Sequence, residues 1–118
     1  MVNSSIAINS SLSSKRSSSG NNTSSFNISV EGMYTAVLEY LSYSGEFDWL
    51  VLSANNGQTV IVGNGTGLDQ YSYNKVCPET RSIDLSGATV ITVSNYGHGG
   101  FLNVEGDSSY QQFRLTIQ

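Results

Sequence analysis

The feature that most constrains the fold is the run of apolar and aromatic residues over positions 33–53, the longest in the chain. Over 33–41 the residues fall into two alternating sets, with Tyr34, Ala36, Leu38 and Tyr40 on one face and the neighbouring positions on the other. Alternation with a period of two predicts a half-buried β-strand. A polar break at 43–46 predicts a turn into a second strand. In that strand we expect Trp49 to be buried between two sheets, because it lies in the middle of the most apolar stretch.

The rest of the chain beyond residue 26 repeats this texture. Asn56-Gly57 is a strong turn signal, since both residues accept positive φ. Phe113, Leu115 and Ile117 alternate with polar residues, so we expect them to face inward. Eight or nine short strands, separated by turn signals roughly every 8–12 residues, are typical of antiparallel sandwiches. The sequence therefore predicts an all-β protein: an antiparallel β-sandwich or jelly roll with an extended N-terminal arm.

The predicted arm covers residues 1–25 and the predicted sandwich domain covers 26–118. The arm is rich in Ser and Asn and has few apolar residues, which predicts no core of its own. Ordering a chain costs about 1–2 kcal/mol of backbone entropy per residue, so we expect a neighbouring subunit to hold the arm in place. Residues 5–9 could add a strand to a partner's sheet. The predicted assembly contacts are Ile6, Ile8 and Leu12. The competing interpretation is a passive linker.

Composition restricts the partners of the protein. Only 12% of residues are charged and the formal net charge is -4, with five basic residues. This balance argues against a nucleic-acid binder, which normally presents a basic face. No apolar run reaches the length of a membrane span, and the first residues lack the continuous apolar core of a secretory signal. A single cysteine, Cys77, allows neither an intrachain disulfide nor a cysteine-based metal site. We expect no cofactor and no metal.

Catalytic signals are weak. His98 is the only histidine and is followed by two glycines in a predicted loop, and no G-x-S-x-G pattern marks a nucleophile. Aromatic residues are more informative, because their flat faces stack on sugar rings when amide side chains stand nearby. Tyrosines in or beside loops rich in Gly and Asn are the candidates, although they could equally form cross-strand pairs. The predicted ligand contacts are Tyr71, Tyr73, Tyr96 and His98.

Two classes of function stay open. The first is a non-enzymatic structural or interaction protein of a larger assembly, such as a head decoration, adaptor or fibre subunit of a virion. The second is a carbohydrate-binding module of a secreted protein. Both imply a location in a virion or outside the cell, with protein partners in the first case and a glycan in the second.

Overall fold

The structure is a computed structural model that describes residues 5–15, 22–45, 49–63, 78–97 and 108–118. In these ranges the chain forms eight strands: β1 (Ile6–Lys15), β2 (Asn22–Ser29), β3 (Thr35–Gly45), β4 (Leu50–Ala54), β5 (Thr59–Val62), β6 (Glu79–Asp84), β7 (Val90–Gly97) and β8 (Ser108–Ile117). Within the same ranges, no helix is long and apolar enough to cross a membrane.

The strands form two antiparallel sheets of four, with the orders β1-β8-β3-β6 and β2-β7-β4-β5. Four pairs join each strand to its counterpart counted from the other end of the chain: β1 with β8, β2 with β7, β3 with β6 and β4 with β5. The rings of Phe26 on β2 and Phe113 on β8 meet edge to face at 6.2 Å, which joins the two sheets. The predicted all-β antiparallel sandwich is confirmed.

The core between the sheets is built by the alternation that the sequence displays. The buried residues of β3 and β8 include Ala36, Leu38 and Tyr40 opposite Phe113, Leu115 and Ile117, as expected. The second sheet contributes its own inward set from β4 and β7: Leu50, Leu52, Ile91 and Val93. The core side of each sheet is therefore largely apolar, and the opposite side carries mostly short polar residues.

Trp49 corrects one expectation. It is partly exposed and does not belong to the core, whereas Leu50 and Leu52 are fully buried. Both alternating sets of this segment are apolar, so the pattern does not say which one faces inward. The two leucines fill the space between the sheets, and Trp49 takes the opposite parity.

The N-terminal arm is not confirmed. All ten residues of β1 pair with β8, and the predicted boundary at residue 26 falls inside β2. Leu12 is buried, while Ile6 and Ile8 pack against the core. Burial of these apolar residues is not the only contribution that orders the segment. Main-chain hydrogen bonds to β8 along the whole strand also help to offset the entropy cost of ordering.

Candidate interaction surfaces

The predicted ligand contacts lie at or beyond the limits of the described ranges. Tyr71, Tyr73 and His98 lie outside the described residues. Tyr96 belongs to β7, where its backbone is opposite Thr23 of β2, but its side chain also lies outside the description.

An ion pair occupies the middle of the outer face of the first sheet, the face turned away from the core. Arg114 on β8 donates two parallel hydrogen bonds to Glu39 on β3, Nε to Oε1 at 2.8 Å and Nη2 to Oε2 at 2.7 Å. These hydrogen bonds lower the pKa of Glu39 and raise the pKa of Arg114, because they favour the charged form of each group. The two opposite charges therefore cancel each other locally.

Beside this pair, a shallow groove of about 390 Å³ runs over β1, β8 and β3. Tyr110 and Leu41 line it with 41% and 37% of their surface exposed. The register of β3 against β8 shifts between Tyr40 and Ser42, so Leu41 is the extra residue of a β-bulge. The hydroxyl of Ser42 donates a hydrogen bond to the side-chain oxygen of Gln112. Asn9, Ser10, Ser11, Gln112 and Phe113 complete the lining.

The groove combines an exposed aromatic ring with amide and hydroxyl groups, a combination that suits a polar ring-shaped ligand. Neither Tyr110 nor Gln112 is among the site residues predicted from the sequence. No turn or glycine signal marks the bulge at Leu41. The groove also depends on β1, which the sequence assigned to an arm.

A second recess, of about 360 Å³, lies where residues 31–34 approach 86–89. Tyr34 is 59% exposed there, although the alternation placed it on the same face as Ala36. Its backbone explains the difference: the N–H of Tyr34 donates to the carbonyl of Gln118 and its carbonyl accepts from Leu85, which fixes it at the end of the sandwich. The ring therefore extends beyond the core.

Within the described ranges, one edge of β1 has no neighbouring strand. Thr35 and Gln118 exchange two backbone hydrogen bonds, at 2.8 and 3.0 Å. Because such pairs alternate along an antiparallel ladder, the even-numbered residues of β8 bond to β3 and the odd-numbered ones to β1. The odd residues of β8 are opposite the even residues of β1. The N–H and C=O groups of Ala7, Asn9 and Ser11 therefore point away from the sheet.

One carbonyl of this edge is already occupied. The hydroxyl of Ser24 on β2 donates a hydrogen bond to the carbonyl of Ser13, which agrees with the alternation. β2 thus covers the C-terminal end of the β1 edge, and no other strand of the described ranges covers the stretch before it. Charged residues, prolines and β-bulges commonly protect an edge strand from pairing with another chain. This stretch of β1 has no charged residue, no proline and no register shift against β8.

Groups typical of catalysis or metal binding are sparse in the described ranges. There, no group of three or more His, Cys, Asp or Glu residues could hold a metal ion. The buried carboxylate of Glu79 accepts a hydrogen bond from the N–H of Gly63 and pairs with Arg81, so it joins β6 to the end of β5.

No protein-family model matches the chain, and no curated protein matches its sequence.

Proposed function

We propose that this protein is a non-enzymatic structural subunit of a larger assembly, a small virion component such as a head decoration, adaptor or fibre subunit. The observation that carries the proposal is the open edge of β1. A regular, uncharged edge strand presents unpaired N–H and C=O groups that a second chain can use, and monomeric proteins normally avoid such edges. Protein chains are the expected partners, and the virion or the extracellular space is the expected location.

The strand pairing supports the same proposal by analogy of fold. Each strand pairs with its counterpart from the other end of the chain, the first with the last and the second with the seventh. This pairing results when one long hairpin folds over into two sheets. We infer a jelly roll from this order. Eight-stranded jelly rolls recur in viral capsid proteins and in lectins. A fold hosts many functions, so the analogy only supports what the β1 edge suggests.

The proposal is tested by the mass and symmetry of the purified full-length chain. Analytical ultracentrifugation over a hundredfold range of concentration should show a closed oligomer or a growing lattice, and negative-stain electron microscopy should show its symmetry. A monomer at every concentration that also fails to bind any co-expressed particle protein contradicts the proposal.

A second candidate function is saccharide binding, favoured by the groove at Tyr110. In this proposal the ring of Tyr110 stacks on a sugar while Asn9 and Gln112 bind its hydroxyls. A glycan array identifies a ligand, and Tyr110→Ala should then abolish binding. Tyr34→Ala is the matched control, because Tyr34 is exposed in the separate recess at the end of the sandwich.

The same array tests the loop tyrosines and histidine proposed from the sequence: Tyr71, Tyr73, Tyr96 and His98. If sugar binding survives Tyr110→Ala and is lost in a Tyr71→Ala/Tyr96→Ala double variant, the loops form the site. A silent array removes both versions of the saccharide proposal and leaves the assembly proposal standing.

A further inference from the structure

We propose that the open edge of β1 pairs with the same edge of a second copy, antiparallel and centred on Asn9. The sheet β1-β8-β3-β6 of one copy would then join the same sheet of the second copy, and together they would form one sheet of eight strands across a two-fold axis. This inference rests on the proposed function, since it names the partner that the β1 edge would take in an assembly. A two-fold interface uses the same surface on both subunits, so the edge has to be complementary to itself.

The hydrogen-bonding pattern of the edge meets this requirement. Ala7, Asn9 and Ser11 all direct their N–H and C=O groups outward, as shown by the alternation of β8 between β1 and β3. When Asn9 is opposite Asn9 of the second copy, Ala7 is opposite Ser11 on both sides of the axis. Every outward group of these three residues then has a partner. The carbonyl of Ser13, which accepts from Ser24, lies outside the paired segment.

The side chains are compatible with the same register. It places Ile6 of one copy opposite Leu12 of the other on the core side, so two apolar residues meet. On the outer face, the two Asn9 side chains are opposite each other and can exchange amide hydrogen bonds. Residues 6–12 carry no charge, and Lys15, the one charged residue of β1, is beyond them. Like charges directly opposite each other would oppose the pairing, and none meet across this axis.

The remaining sheet edges of the described ranges fit a second copy less well. β5 has four residues, and β6 carries Glu79, Arg81 and Asp84 within six residues. β2 is uncharged but two residues shorter than β1. Because Val30 donates to the carbonyl of Thr89, the even residues of β2 bond to β7 and Asn27 directs its N–H outward. Asn27 therefore offers a matched control on a neighbouring edge.

The first test removes one outward N–H without touching the internal ladder. Asn9→Pro should raise the dissociation constant of the oligomer about tenfold or more, since it deletes two symmetric hydrogen bonds at the axis. Asn9→Ala keeps the N–H and loses only the exposed amide contact, so it should weaken assembly much less than Asn9→Pro. Asn27→Pro should leave assembly nearly unchanged. If the Asn27→Pro variant loses assembly and the Asn9→Pro variant keeps it, the inference is overturned, because the pairing edge is then that of β2.

The second test does not depend on how well the proline variant folds. In a Cys77→Ser background, Asn9→Cys places two cysteines on opposite sides of the axis, with Cα atoms about 5.5 Å apart, within the range of a disulfide. Mild oxidation should convert most of the protein into a covalent dimer. Ser82→Cys, exposed on the β6 edge, is the control and should stay monomeric on a reducing-agent-free gel.

The outcomes separate this inference from the proposed function. An oligomer that forms in Asn9→Pro and gives no Asn9→Cys cross-link overturns the β1 pairing but keeps the assembly proposal. A chain that is monomeric, gives no cross-link and binds no particle protein overturns both. A cross-link at position 9 with none at position 82, together with a weakened Asn9→Pro oligomer, supports the pairing.

Discussion

Gly63 lies directly against the ring of Tyr40, so close that a β-carbon at position 63 would overlap Cδ2 and Cε2 of that ring. Tyr40 is fully buried, and the residue at 63 has a φ of 94°. Only glycine combines this backbone conformation with this proximity. The contact is where β5 of one sheet ends over β3 of the other, next to the hydrogen bond from Gly63 to Glu79.

This contact predicts an unusually destabilising glycine substitution. Gly63→Ala should combine the cost of positive φ with displacement of a buried ring, and lower the free energy of unfolding by about 2–5 kcal/mol. Gly57→Ala is the matched control, because Gly57 has the same φ of 94° and nothing within 4 Å of an added β-carbon. Urea unfolding of both variants measures the difference. Equal losses would mean that Tyr40 does not restrict position 63.

The place of β1 in the sandwich predicts that Leu12 contributes to folding. Leu12→Ala should lower the free energy of unfolding by about 2–4 kcal/mol, because it leaves a cavity in the core. Ser13→Ala, one residue further on an exposed position, should change it by less than about 0.5 kcal/mol. Thermal unfolding compares the two. If Leu12→Ala is as harmless as the control, residues 6–15 behave as the arm that the sequence predicted.

The buried amide pair between the sheets predicts a second stability effect. Asn95 Oδ1 accepts a hydrogen bond from the N–H of Ser24 at 3.0 Å, and its Nδ2 donates to Gln111 Oε1. Asn95→Leu keeps the branched shape of the side chain but leaves both partners unsatisfied, so it should cost about 1–3 kcal/mol of unfolding free energy.

Gln111→Met is the comparison for this pair. Gln111 Nε2 is buried without a hydrogen-bond partner in the described structure. Methionine at this position removes that unsatisfied donor, but it also removes Oε1, the acceptor for Asn95 Nδ2. The loss in chemical-denaturant unfolding should be smaller than for Asn95→Leu. A larger loss would show that the Gln111 amide has a favourable environment that the hydrogen bonds do not reveal.

The ion pair on the outer face predicts a pH dependence. Arg114 lowers the pKa of Glu39 in the folded protein, so the pair stabilises the fold fully above the unfolded pKa, about 4.3. Its contribution is lost as the pH falls through the lowered, folded pKa. Arg114→Gln should raise the pKa of Glu39 toward its ordinary value, as followed by carboxyl-carbon NMR.

Asp84 is the internal control for this titration. Hydrogen bonds from the backbone and hydroxyl of Ser86 lower the pKa of Asp84, and Arg114 does not contribute to this shift. Its pKa should therefore be the same in Arg114→Gln and in the wild-type protein. A Glu39 pKa that does not move in the variant would contradict the assignment of the shift to Arg114.

The sequence by itself determined the fold class and the inward face of most strands. The alternation in β3 and β8 places Leu38, Tyr40, Phe113 and Leu115 in the core as the structure has them, because a strand's side chains point to opposite faces with a strict period of two. The Asn-Gly turn after β4 was also predicted from the sequence, and Gly57 adopts the positive φ that such a turn needs.

Tertiary structure decided what a local pattern cannot express. Trp49 and Leu50 are both apolar neighbours, and only the space between the sheets selects the leucine for the core. Residues 6–15 resemble a flexible arm because their strand partner, β8, is about a hundred positions away in the chain. The groove at Tyr110 and the open edge at Asn9 both follow from that long-range pairing. A hydrogen-bonding partner so distant in sequence leaves no trace in the composition of the segment it orders.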